Sequence, residues 1–169
     1  METEAQATND MRKLAELIGV ARIAMLATLE PNGSLRSRPL ATLQLDSAGR
    51  LWFFTSVSAP KIEEIAHHKQ VNLSYSDPDK QDYVSVSGPA ELVRDRARMR
   101  SLWTPWVEPW FPRGVDDPDL ALLCVQIEQA EYWDAPESRM QRMFGLAKAI
   151  ATGDTRALGE HAKISGPPH

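Results

Sequence analysis

The chain has 169 residues, of which 43% are apolar and 25% charged, enough for one ordinary globular domain with a real core. Its net charge of −4 excludes a global basic field for nucleic acid or anionic lipid. One cysteine, Cys124, excludes an internal disulfide, and within LALLCVQI it reads as a small buried hydrophobe. The opening METEAQATND lacks the basic start and apolar run of a secretion signal, and no apolar run is long enough to cross a bilayer. The expectation is a cytoplasmic protein.

Residues 1–9 read as a loose tail. Asp10 is suited to cap a short helix whose Met11, Leu14, Leu17 and Ile18 share a face, with Gly19 as its stop. Arg22 to Leu29 reads as a buried strand. Glu30-Pro31-Asn32-Gly33-Ser34 is a turn: Pro fixes φ, and Asn-Gly accepts positive φ. Leu35 to Leu45 returns as the second arm of a hairpin. After a turn at Asp46 to Gly49, Leu51 to Phe54 forms a third strand, and Ala59 to Lys69 a helix.

Val71 to Tyr75 is a fourth strand. Asp82 to Val93 is the longest, with Val84 and Val86 on one face. Gly88-Pro89 inside it signals a bulge or a barrel corner. Arg94 to Leu102 reads as a short charged helix. Trp103 to Gly114 holds three Trp and three Pro and suits no regular element. Leu120 to Ile127 is an apolar strand, followed by Ala130 to Asp134. Residues 138–163 have helical composition. Short strands joined by turns, with helices as inserts, favour a closed or nearly closed β-barrel.

Three places carry candidate chemistry. At Leu51 to Lys61 a strand runs into a helix through Thr55, Ser56 and Ser58, with Ser58 placed as N-cap. Lys61 in the first helical turn opposes the helix dipole. A bound anion would remove the conflict, because N–H groups, hydroxyls and an ammonium all favour phosphate; a solvated lysine on an ordinary turn is the alternative. Arg36 and Arg38 lie at i and i+2 on one face of the second strand, and Pro39 removes a ladder donor. They fit a solvated edge or an edge that meets an anionic ligand. Trp103, Trp106, Trp110 and Phe111 are too many large rings for an exposed loop and must cover the barrel, a partner subunit or a flat ligand. There is no GxGxxG, Walker loop, GxSxG or HExxH run, and the histidines lack metal-ligand spacing.

Taken in order, RSRPL, WFFTS, SAPK, VNLSYSD, YVSVSG, WTPW with WFP, DDPDLALLCVQI and AEYWD resemble the pyridoxamine 5′-phosphate oxidase-like flavin-binding split barrels, and among them the general stress protein 26 branch. The resemblance covers about residues 10–134. It implies an α+β, mainly β fold: a six-stranded split barrel of Greek-key type over 1–134, with a helical extension and tail over 135–169 packed on it. It implies a homodimer with FMN in the cleft between subunits. Carried over by position, Arg36, Ser37, Arg38, Pro39 and Leu40 face the ring and ribityl, Thr55 and Ser56 lie near the phosphate, and Lys61 binds it. Trp106 or Trp110, before Trp103, reaches the flavin or the dimer seam. The basic and histidine residues with which true oxidases grip pyridoxamine phosphate have no clear counterpart after Asp134, so that substrate is not expected. Three functions stay open: an FMN-dependent oxidoreductase acting on an unidentified small molecule, a flavin-binding stress protein without turnover, and a barrel holding deazaflavin or haem. The lack of an axial histidine in the strands counts against haem.

Overall fold

A computed structural model describes residues 2–134, 141–142 and 163–165. Six antiparallel strands close a barrel: β1 (Ile23–Leu29), β2 (Leu35–Leu45), β3 (Arg50–Ser56), β4 (Gln70–Asp77), β5 (Asp82–Val93) and β6 (Leu120–Gln126). The order around it is β4-β1-β2-β3-β6-β5, and β4 pairs β5 to shut the ring. This is the expected α+β barrel. A further strand, β7 (Gln129–Asp134), pairs β5 outside the ring, and short strands β8 (Gln141–Arg142) and β9 (Lys163–Ser165) pair β7. Gln141, Arg142 and Lys163 are therefore extended where helical composition suggested helix. The rest of that expected helix lies outside the described residues.

β5 is long because, besides pairing β4, it serves two further neighbours in turn. Its first half pairs β7 through Tyr83 to Ser87, and its second half pairs β6 from Ala90 to Val93. The switch falls on Gly88-Pro89. A Cβ on Gly88 would sit 1.7 Å from the Gln126 carbonyl oxygen, so only glycine lets the β6–β7 crossover pass this close.

Inside the barrel Leu26, Phe53, Leu73, Val86, Leu123 and Val125 form the core. At its Ile23 end α1 (Glu2–Ala21) seats Leu14, Leu17 and Ile18 on that core. At the Leu29 end α2 (Pro60–His67) adds Ile65. A second cluster covers the outer face of β3 and β6: Trp52, Phe54, Leu122 and Cys124 lie under Met99 of α3 (Arg96–Leu102) and Val107. β6 is thus buried on both faces, which is why LALLCVQ is a continuous apolar run.

Two helix boundaries differ from the sequence reading. Helix α1 begins at Glu2, and Asp10 lies buried within it instead of capping it. The helix also continues past Gly19 to Ala21. The left-handed residue after it is Arg22, at φ 54°, whose N–H donates to the Ile18 carbonyl at 2.8 Å. The α2 N-cap is Ala59, without a side-chain cap, because Ser58 Oγ donates instead to Asp119 Oδ2 at 2.8 Å.

Candidate functional site

The barrel is split between β2 and β3. The two strands pair at Thr42–Phe53, Gln44–Trp52 and Leu45–Leu51, with a bulge between Thr42 and Gln44. Beyond Phe53 they part. The Leu35–Ala41 half of β2 pairs β1 alone, and Phe54 to Ser56 of β3 pair β6 alone. Pro39 sits in this half-free stretch, where its missing N–H breaks no ladder.

A cleft of about 260 Å³ occupies the split. Pro39, Leu40, Ala41 and Leu43 form one wall, Phe54, Thr55 and Ser56 the other. Ala59 and Lys61 close it at the start of α2, and Val107, Trp110 and Phe111 roof it. Trp103 and Phe111 are held as packing rings, edge-on to Phe54 at 5.4 and 5.8 Å. Trp110 keeps 55% of its surface exposed.

Lys61 makes no hydrogen bond or ion pair among the described residues. Its surroundings hold its pKa below the ordinary lysine value: burial first, then the charge of Arg38, opposed by Glu64. A half-sunk ammonium beside two hydroxyls is the cation of this cleft.

Arg38 is committed elsewhere. Its Nη2 donates to Glu64 Oε2 at 2.8 Å and its Nη1 to Thr28 Oγ1 at 2.8 Å, while Thr28 Oγ1 also donates to Glu64. Glu64 is 5% exposed. Burial works to raise its carboxyl, but hydrogen bonds from Thr28 and Arg38 and the charges of Arg38 and Arg36 outweigh it, leaving the pKa lowered. This triad ties β1, β2 and α2 together beside Lys61. Arg36 is exposed and pairs Glu30 at 3.5 Å.

Of the residues singled out in the sequence, the fold brings Pro39, Leu40, Thr55, Ser56, Lys61 and Trp110 into the cleft lining. It places Arg36, Ser37, Arg38 and Trp106 outside that lining. Trp106 touches Trp110 at 5.2 Å between ring centroids and faces a neighbouring cavity. As lining residues, sequence reasoning missed Ile23, Ala41, Leu43, Phe54, Ala59 and Val107. These are small or apolar residues with no local signal, and only the parting of β2 from β3 reveals them. The Val57–Ser58 turn is fixed from 61 residues away: Asp119 accepts from Ser58 N at 3.0 Å and from Ser58 Oγ, while the Asp119 carbonyl accepts from Val57 N at 2.7 Å. The hydrogen bonds from Ser58 hold the Asp119 carboxyl below the usual range.

Comparison with known proteins gives this geometry a context. The chain is 24% identical over 175 residues to protein bli-3 of Neurospora crassa, covering 98% of this chain and 84% of that one. It superposes on a Clostridium acetobutylicum protein related to general stress protein 26 with a TM-score of 0.65 and 29% identity, over 72% of this chain and 86% of the other. It superposes on the general stress FMN/FAD binding protein of Xanthomonas citri with a TM-score of 0.64 and 28% identity, over 79% and 94%. A family model described as pyridoxamine 5′-phosphate oxidase like matches residues 9–157. The chain therefore belongs to the pyridoxamine 5′-phosphate oxidase-like family.

Proposed function

We propose that this protein binds FMN in the split between β2 and β3 and works as a homodimer, as a flavin-dependent oxidoreductase on a small molecule. The carrying observation is Lys61: an ammonium without a partner among the described residues, beside Thr55 and Ser56 in a cleft walled by Phe54, Trp110 and Phe111. That combination suits a phosphate at one end and a flat ring along the apolar walls. The backbone edge of β2 near Pro39 to Ala41 is free of β3 and can meet the polar rim of a ring. The FMN/FAD-binding relative in Xanthomonas citri supports the same ligand.

The dimer is supported by surface and by size. Ile23, Met25 and Leu35 expose 39%, 42% and 78% of their surface, and Trp110 lines the cleft together with Ile23. A cleft of about 260 Å³ is small for a cofactor, since small-molecule sites start near ~300 Å³. A second copy seated on this apolar strip would complete the wall.

A bound flavin supplies reversible electron and hydride transfer. Lys61 is the only titratable group among the residues lining the cleft. The protein's part is thus to anchor the phosphate, hold the ring against its aromatic walls and exclude water. A purified sample should show flavin absorption bands and release FMN by mass on denaturation. A colourless protein that ignores added FMN would overturn the reading, and a released deazaflavin would replace the cofactor.

A further inference from the structure

We propose that a second cavity, walled by Arg22 and Trp106, binds an aromatic carboxylate next to the flavin cleft. The cavity measures about 360 Å³ and lies between the last turns of α1, the bulged part of β2 and the Trp-rich segment. Leu43 and Leu102 supply apolar walls, and Thr104 and Gln44 supply polar groups. Leu43 also lines the flavin cleft, and Trp106 of this cavity touches Trp110 of that cleft, with ring centroids 5.2 Å apart.

Two observations point to a ligand. The Arg22 guanidinium lies over the Trp106 ring at 5.3 Å and has no hydrogen bond or ion pair among the described residues. Arg22 is exposed; stacking covers one face of the fork and leaves its N–H edge open to solvent or to a bidentate acceptor. Second, Arg22 holds a left-handed backbone at φ 54°, where glycine or asparagine is at home. This turn ends α1 through the Arg22 N–H on the Ile18 carbonyl, and it carries an arginine where glycine would be easiest.

The charge count selects the ligand. One guanidinium matches one carboxylate. Ala15, Ile18 and Gly19 of the last turns of α1 line the same cavity, and the negative end of that helix disfavours a more highly charged anion. The indole and leucine walls favour a flat apolar body. Binding of the anion thus depends on Arg22.

The experiment is calorimetric titration of the purified full-length protein with sodium benzoate and with benzyl alcohol, its neutral counterpart. Benzoate should bind saturably and benzyl alcohol far more weakly. Arg22→Gly should weaken benzoate by about tenfold or more, the loss expected for a charge-assisted contact, while melting no lower than the wild type. Arg22→Asn, also suited to this backbone, should do the same. Absence of benzoate binding, equal binding of benzyl alcohol, unchanged binding in both variants, or benzoate displacing flavin would each overturn the proposal. Because the cavity is separate from the flavin cleft, a protein that binds benzoate but ignores added FMN would sink the flavin reading alone.

Discussion

Arg38 Nη2 meets Glu64 Oε2 at 2.8 Å, joining the second strand to the second helix at the end of the barrel where Lys61 sits. Both side chains are largely buried, at 18% and 7% exposed. Glu64→Ala would leave the guanidinium without its counter-charge. It should cost about 3–5 kcal/mol, the usual result of removing one partner of a buried pair. Denaturant unfolding measures it.

The same pair has a pH signature. The Glu64 and Asp46 carboxyls both stand below their ordinary values in the folded chain. Burial opposes this in each, and hydrogen bonds with arginine charge override it. The unfolded chain therefore binds more protons between the lowered and ordinary values. Their stabilisation is complete above the ordinary carboxylate range and is lost as pH falls through the lowered values. Melting temperature should drop with acidification in that window, and Glu64→Gln should flatten the drop.

Lys61 works in the opposite direction. Its pKa is lowered, so the folded protein without ligand bears a charge it would shed at high pH. Lys61→Met should leave the flavin-free protein as stable as the wild type or more so at neutral pH. The same change should weaken FMN by about 1–3 kcal/mol, the range for a charge-assisted contact. Paired melting and FMN titration check this; equal FMN affinity would remove Lys61 from the site.

Gly88→Ala tests the barrel corner. Its new Cβ would overlap the Gln126 carbonyl oxygen, a backbone atom that cannot rotate away. The β6–β7 crossover would have to shift, so the loss should exceed the ~1 kcal/mol typical of point changes. Thermal unfolding should show a large drop in Tm, or no folded protein at all.

Met25→Lys places a charge in the exposed apolar strip formed with Ile23 and Leu35. It should shift the protein to a monomer by light scattering and loosen FMN in step. A wild type that is strictly monomeric when loaded with flavin would exclude the intersubunit cleft.

Much of the fold was legible in the chain because its signals are local. The Asn32-Gly33 turn forms with Gly33 at φ 83° and the Glu30 N–H on the Ser34 carbonyl at 2.8 Å. The apolar strands fall where the side-chain pattern put them, within a few residues. Gly88-Pro89 marks the corner where β5 changes partner. Lys61 stood out because a cation in a first helical turn conflicts with the dipole of its own helix. The ordered motifs also carried the family resemblance, which the family match over residues 9–157 bears out.

Other features depend on partners far along the chain. Ser58 looked like a helix cap, but Asp119, 61 residues on, takes its hydroxyl. Arg36 and Arg38 share a strand face and look alike in sequence. Glu64 captures Arg38, whereas Arg36 stays near solvent with Glu30. Asp10 and Gly19 looked like helix ends, but tertiary packing of Leu14, Leu17 and Ile18 sustains a longer helix. Periodicity, turn chemistry and charge near a helix end act over a few residues, so the sequence by itself determined the barrel and its corners and singled out the Lys61 cation that lines the cleft. The parting of β2 from β3, the choice between two arginines and the cavity beside Trp106 arise from contacts between distant segments, and only the tertiary structure decided them.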